Sequence, residues 1–190
     1  MCNTLDRKFI MCVTGMPGCG KTVVSKEIAK MGLFYVNLGD VVREQTRLRG
    51  LELTDESCGQ IMVDLRKEYG PYVIAKLSLD KFSSERNRYV VDGIRSIFEV
   101  EEYKKVGKTR LLSIHASPER RFGFLEGRGR KDAPMTRREF DIRDKRELDV
   151  GVGNAIALAD EIISNNSTIE NLISQAKQLL KAWMKEDGFA

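Results

Sequence analysis

The chain is poor in the groups on which much enzyme chemistry depends. It has one histidine in 190 residues, so neither a zinc set nor a histidine-based relay is on offer. Its four cysteines, Cys2, Cys12, Cys19 and Cys58, show no C-x-x-C spacing. Cys12 sits in an apolar run and Cys19 in a glycine loop, which suits reduced thiols in a cytoplasmic setting better than a disulfide framework. No stretch approaches the ~20 apolar residues that a membrane span requires, and the polar start Met1–Lys8 argues against a signal peptide. Repeats, linkers and low-complexity tracts are also missing, so residues 1–190 read as one domain.

What is present begins with charge. The net charge is +4, and it is unevenly placed. Between Glu119 and Arg146 stand eight Arg and two Lys against six acids, a local excess equal to that of the whole chain. Arginine dominating lysine favours bidentate phosphate contacts, although a salt-bridged helix face would read the same way on charge alone.

The apolar pattern is that of alternating strands and helices. Lys8–Thr14 is a short run without alternation, as a strand covered on both faces requires. Further strands are expected at Leu33–Leu38, Tyr89–Val91, Arg110–His115 and Glu161–Ser164. Between them the spacing predicts helices from Lys21, from Asp40 as cap, over Thr54–Tyr69, over Tyr72–Phe82, and from Ser96, Pro118, Thr136 and Ser167. This order implies an α/β fold: a five-stranded parallel sheet with helices on both faces, the three-layer P-loop sandwich.

One motif carries most of the chemistry. Gly15-Met16-Pro17-Gly18-Cys19-Gly20-Lys21-Thr22 matches G-x-x-x-x-G-K-[ST] in full, with a strand before it and a helix after it. Such a loop turns backbone N–H groups inward at a helix N-terminus, where they bind phosphate oxygens. Lys21 is expected to reach the β- and γ-phosphates of ATP, and Thr22 to ligate Mg2+. Asp92, after the apolar run Tyr89–Val91, is the candidate second Mg2+ group, in part through water; a turn residue before Gly93 is the plainer alternative.

Two further segments resemble the nucleoside monophosphate kinases. Leu38-Gly39-Asp40-Val41-Val42-Arg43 resembles the TGDxLR segment of adenylate kinase, and Asp92-Gly93-Ile94-Arg95 resembles a shortened DGFPR segment. The spacing of these motifs and of Ala157-Leu158-Ala159-Asp160 is most similar to an archaeal group of adenylate-kinase-related proteins, over about residues 8–180. The resemblance implies that Gly39, Asp40, Arg43, Gly93 and Arg95 line an acceptor-nucleotide site, in a helical insertion at about 40–84. It also implies a short lid at about 127–146 carrying Arg128, Arg130, Arg143 and Arg146, with Lys21, Arg95, Arg128 and Arg143 as the catalytic cations. Phosphoryl transfer needs positioning and charge neutralisation more than a nucleophilic side chain.

The chain departs from that pattern in places. Leu38 replaces the threonine of TGD, and the adenine-reading glutamine has no counterpart, with Glu99 nearby in sequence. Phe124 falls where the family places an arginine against the donor base, and a phenyl ring there could stack on it. Residues 157–166 also resemble dephospho-coenzyme A kinase. The resemblance implies ATP and Mg2+ as cofactors, an AMP-like or other small phosphorylated acceptor, no membrane partner, and a monomer or homodimer. An adenylate-kinase-like ATPase acting on ribonucleoprotein, its basic segment touching RNA phosphates, is the alternative from another class; no aromatic RNA-reading string supports it. His115 reads as packed or hydrogen-bonded, and Trp183 as a hydrophobic anchor.

Overall fold

Every residue of Phe9–Thr14, the first strand β1, is buried, so this run lies inside the protein on both of its faces. The computed structural model describes residues 8–127 and 136–189. The remaining strands are β2 (Phe34–Asn37), β3 (Arg88–Ile94), β4 (Lys108–His115) and β5 (Glu161–Ser164). They form one parallel sheet in the order β2-β3-β1-β4-β5. The helices are α1 (Lys21–Ala29), α2 (Leu38–Leu48), α3 (Asp55–Tyr69), α4 (Val73–Ser78), α5 (Ile97–Lys104), α6 (Pro118–Glu126), α7 (Arg137–Val150), α8 (Val152–Ala157) and α9 (Ile169–Glu186).

Side-chain alternation along β1 sorts the core into two halves. Ile10 and Cys12 join α2, α3, α4, α5 and α8 on one face. Phe9, Met11 and Val13 join α1 and α9 on the other, where Leu172, Ala176, Leu180 and Trp183 form the buried stripe of α9. Burying a Leu or Trp of this kind is worth about 1.5–3 kcal/mol, and Trp183 is the anchor its apolar setting requires. Among the described residues no helix is long and apolar enough to cross a membrane.

Several element ends differ from expectation for local reasons. Asp40 does not cap α2. Asn37 does, with extended backbone and a side chain that accepts the Asp40 N–H, so Leu38 is the first helical residue rather than the last of a strand. Thr168 rather than Ser167 caps α9, accepting from the Asn171 N–H. The expected helix over Tyr72–Phe82 shortens to α4 plus a 3-10 turn at Leu79–Lys81, ending where Phe82 turns extended and stacks on Tyr89. Asp92 lies inside β3 rather than after it. The ladder with β1 slips there, pairing Val13 with Asp92 and Thr14 with Ile94, and Gly93 supplies the φ of +96° that the bulge requires. α8 was not anticipated; it follows from Gly151, whose left-handed backbone both ends α7 and starts α8.

Candidate nucleotide-binding site

The C-terminal ends of the strands lie together in a parallel sheet, and ligand clefts in such folds form there. The phosphate loop follows β1 and enters α1, whose N-terminus has Gly20 as cap and no acidic residue in its first turn. The loop is pressed against its surroundings. A Cβ on Gly15 would stand 2.2 Å from the Ile114 carbonyl oxygen of β4, at a φ of +138°, so only glycine fits. Asn165, at the end of β5, donates to the Cys19 carbonyl at 3.0 Å. Arg121 of α6 donates to the Pro17 carbonyl at 3.1 Å and forms a two-pronged pair with Asp144 of α7. The Lys21 ammonium lies over the loop, donating to the carbonyls of Gly15 (2.7 Å) and Met16 (3.0 Å).

Asp92 meets the loop from β3. It is 2% exposed, and three donors converge on its Oδ2: Thr22 Oγ1 at 2.7 Å, the Tyr35 hydroxyl at 2.9 Å and Asn37 Nδ2 at 3.1 Å. Its other oxygen, Oδ1, is buried and has no hydrogen-bond partner among the described residues. Burial, and then the Asp92 charge, push the Tyr35 phenol well above its ordinary value, so Tyr35 remains a donor. A buried carboxylate oxygen with a free lone pair, beside a hydroxyl that still has lone pairs to offer, suits a hard divalent cation. Among the described residues no group of three or more His, Cys, Asp or Glu could hold a metal. A cation here would therefore complete its shell with water or phosphate oxygens.

The cleft continues toward α2 and α7. Lys21, Thr22, Gly39, Arg43, Asp92, Gly93, Arg95, Arg143 and Glu147 line it together. An adjoining hollow adds Asp55, Gly59 and Arg146. Arg43 is paired with Asp40 of the same helix at 2.6 Å. Arg95 donates to Glu147 at 2.6 Å and to the Gly93 carbonyl at 3.0 Å. Asp55, the first residue of α3, pairs with both Arg143 (3.3 Å) and Arg146 (2.7 Å) of α7. Burial works to raise the Glu147 pKa, but Arg95, Arg143 and Lys21 outweigh it and hold the carboxyl below its ordinary value.

The structure thus brings together Gly15–Thr22, Asp92, Gly39, Asp40, Arg43, Gly93, Arg95, Arg143 and Arg146. Arg128 and Arg130 lie outside the described residues. Glu99 cannot stand in for a base-reading glutamine: it is fully buried, ion-paired with Arg66 and committed to the Arg95 and Ser96 N–H groups. Phe124 is 39% exposed with the Arg120 guanidinium 5.6 Å from its ring. His115, the last residue of β4, is exposed rather than packed.

Seven contributors were not singled out as site residues in the sequence: Tyr35, Asn37, Asp55, Arg121, Asp144, Glu147 and Asn165. Asp55, Asp144 and Glu147 are indistinguishable in sequence from surface helix charges. Tyr35 and Asn37 carried a signal, since polar residues at alternate positions of a short strand mark a face toward something polar.

Comparison with known proteins agrees with this fold. A family profile described as "AAA domain" matches residues 11–148. The UPF0200 protein of Hyperthermus butylicus is 42% identical over 174 residues, covering 91% of this chain and 94% of that protein. Among solved structures, a shikimate kinase from Acinetobacter baumannii in complex with shikimate is similar at a TM-score of 0.60 and 16% identity, over 94% of both chains. A gluconokinase from Sinorhizobium meliloti is similar at a TM-score of 0.57 and 14% identity, over 97% of this chain and 98% of that one. At such identities the two likenesses speak for the P-loop kinase fold.

Proposed function

Because the chain belongs to the archaeal UPF0200 family and folds as a P-loop kinase-like nucleotide-binding domain, we propose that it transfers the γ-phosphoryl group of Mg·ATP to an AMP-like nucleoside monophosphate or a related small phosphorylated acceptor. One observation carries the reading: Arg43 and Arg95 line the same cleft as Lys21, Thr22 and Asp92. A phosphate loop that only anchored a nucleotide would have no use for two arginines across from it. A transferase needs them, to hold an anionic acceptor against the γ-phosphate.

In this reading the loop N–H groups and Lys21 hold the triphosphate, and Arg43 and Arg95 hold the acceptor phosphate. An acceptor oxygen attacks the γ-phosphorus, the bond to the β,γ-bridging oxygen breaks, and ADP leaves with that electron pair. Arg143 and Arg146, with Arg128 and Arg130 of the same arginine-rich stretch, neutralise charge as it spreads over the transferring group. Thr22 and Asp92 would hold Mg2+, which would supply positive charge to offset that of the phosphates.

The test is an acceptor screen by coupled ADP release, with AMP first and dephospho-coenzyme A, shikimate and gluconate included. Acceptor-dependent ADP release identifies the kinase. ATP hydrolysis indifferent to every acceptor, together with salt-sensitive RNA binding, replaces it with the ribonucleoprotein ATPase.

A further inference from the structure

Asp92 is oriented by the neighbouring strand as well as by the loop it faces. Asn37 is the register partner of Asp92 across β2 and β3, and Tyr35, two residues earlier, shares its face. Both donate to Asp92 Oδ2, which Thr22 also occupies. The carboxylate cannot rotate without breaking all three bonds, so Oδ1, the oxygen without a partner, is held in one place.

Asn37 has a second end. Its Nδ2 also donates to the Tyr35 hydroxyl at 2.8 Å, while its Oδ1 accepts the Asp40 N–H at 3.2 Å and so caps α2. The reverse orientation would set a carbonyl against the Asp92 carboxylate and an NH2 against an N–H, so the two contacts fix the amide. Gly39 and Arg43 lie in the first turns of this helix, and a Cβ on Gly39 would come within 2.9 Å of Asn37 Oδ1. Serine or aspartate would cap α2 equally well. Asn37 divides the work between two atoms, capping the helix through Oδ1 and donating to the carboxylate through Nδ2, whereas serine would have one oxygen on a shorter stem for both.

We infer that Tyr35 and Asn37 are positioning residues for the cation-holding carboxylate, and that Asn37 is the joint through which this carboxylate and the acceptor helix α2 move as one. The inference rests on the phosphoryl-transfer reading above. Groups that orient a ligating carboxylate set metal affinity without touching the metal.

The test measures Mn2+ binding by electron paramagnetic resonance in the presence of a non-hydrolysable ATP analogue, for the parent, Y35F, N37S, N37A and D92N. Tyr35→Phe and Asn37→Ser should each weaken Mn2+ roughly 10- to 100-fold while leaving metal-free analogue affinity at the parent value. Hydrogen exchange at the Asp40 amide reads the joint. N37S should keep its protection and N37A lose it; Mn2+ should slow this exchange in the parent but not in N37S. If D92N loses Mn2+ affinity while Y35F and N37S bind as the parent does, the positioning role is overturned and the wider reading stands. Equal slowing of the Asp40 amide in N37S and parent overturns the joint. Parent-like Mn2+ binding by D92N overturns the metal assignment on which both readings rest.

Discussion

Arg95 and Glu147 tie the end of β3 to α7 through an ion pair of 2.6 Å in which Glu147 is 5% and Arg95 21% exposed. Glu147 sits below its ordinary pKa, so its contribution to stability is present at neutral pH and disappears as pH falls through the depressed value. Removing one partner of a buried pair costs about 3–5 kcal/mol, and partial access of Arg95 to water reduces this to roughly 1–3 kcal/mol. Glu147→Gln should therefore lose stability in urea at pH 7, and the gap to the parent should close below the usual glutamate range. A gap that is the same at both pH values would show that the charge does not stabilise the fold.

Lys21→Ala should abolish triphosphate-dependent activity and weaken ATP in titration calorimetry, since it removes a point charge over the loop. The fold should survive, because the Lys21 donations, to the Gly15 and Met16 carbonyls and at 3.8 Å to the Cys19 sulfur, all stay within the loop. Gly15→Ala should behave differently, failing to fold or losing the loop. The Ile114 backbone oxygen that its Cβ meets cannot step aside. Unchanged ATP affinity in K21A would contradict the P-loop assignment.

Arg43→Ala and Arg95→Ala should weaken the acceptor far more than ATP. Each removes a charge-assisted bond of roughly 1.5–3 kcal/mol, about 10- to 100-fold in affinity. Arg95→Ala should also destabilise the protein, since it removes the ion-pair partner of the buried Glu147, whereas among the described residues Arg43 is paired with the exposed Asp40 alone. Equal losses for donor and acceptor would sink the two-site picture.

Asn165→Ala should lower ATP affinity without touching the ligand. Asn165 is 4% exposed and its Nδ2 supports the Cys19 carbonyl, so truncation leaves a buried acceptor unpaired at a cost of about 1–3 kcal/mol. Urea denaturation checks the stability term and calorimetry the affinity term. Full ATP affinity in N165A would make Asn165 a purely structural residue.

The fold was legible because its signals are local. The unalternating run at β1, the glycine loop and the capping boxes at Ser96 and Thr136 all stand in the structure. The phosphate loop and Asp92 were legible because a motif with a mechanism is read in consecutive residues. What escaped was pairing. Asp55, Asp144 and Glu147 acquire meaning only when α3 and α7 pack beside the cleft, and nothing in sequence distinguishes them from surface acids. Asn37 escaped because the sequence pattern carries the strand to Leu38 and puts Asp40 at the cap, whereas the Asn37 side chain accepts the Asp40 N–H and donates to Asp92 on β3.

Asp55 gives the sharpest test of how the arginines work. It holds Arg143 at 3.3 Å and Arg146 at 2.7 Å, and both arginines border the hollow next to Arg43 and Arg95. If these arginines bind phosphate, Asp55 competes with the ligand for them. Asp55→Asn keeps the shape, loses a favourable carboxylate at the start of α3, and should cost the free protein about 0.3–1 kcal/mol from the helix end alone. Phosphate binding should nevertheless strengthen, because no carboxylate has to be displaced; relief of about 0.7–1.4 kcal/mol corresponds to a gain of roughly 3- to 10-fold. Gly59→Ala supplies the complementary perturbation. Its Cβ would lie 2.5 Å from the Arg146 guanidinium, the far end of a flexible side chain, so the protein should fold while Arg146 is pushed from Asp55. Calorimetry with AMP in the presence of a non-hydrolysable ATP analogue compares D55N, G59A and parent. A tighter D55N supports competition. A weaker D55N would mean that Asp55 aligns the arginines for the acceptor, and an unchanged one would remove Arg143 and Arg146 from the phosphate site.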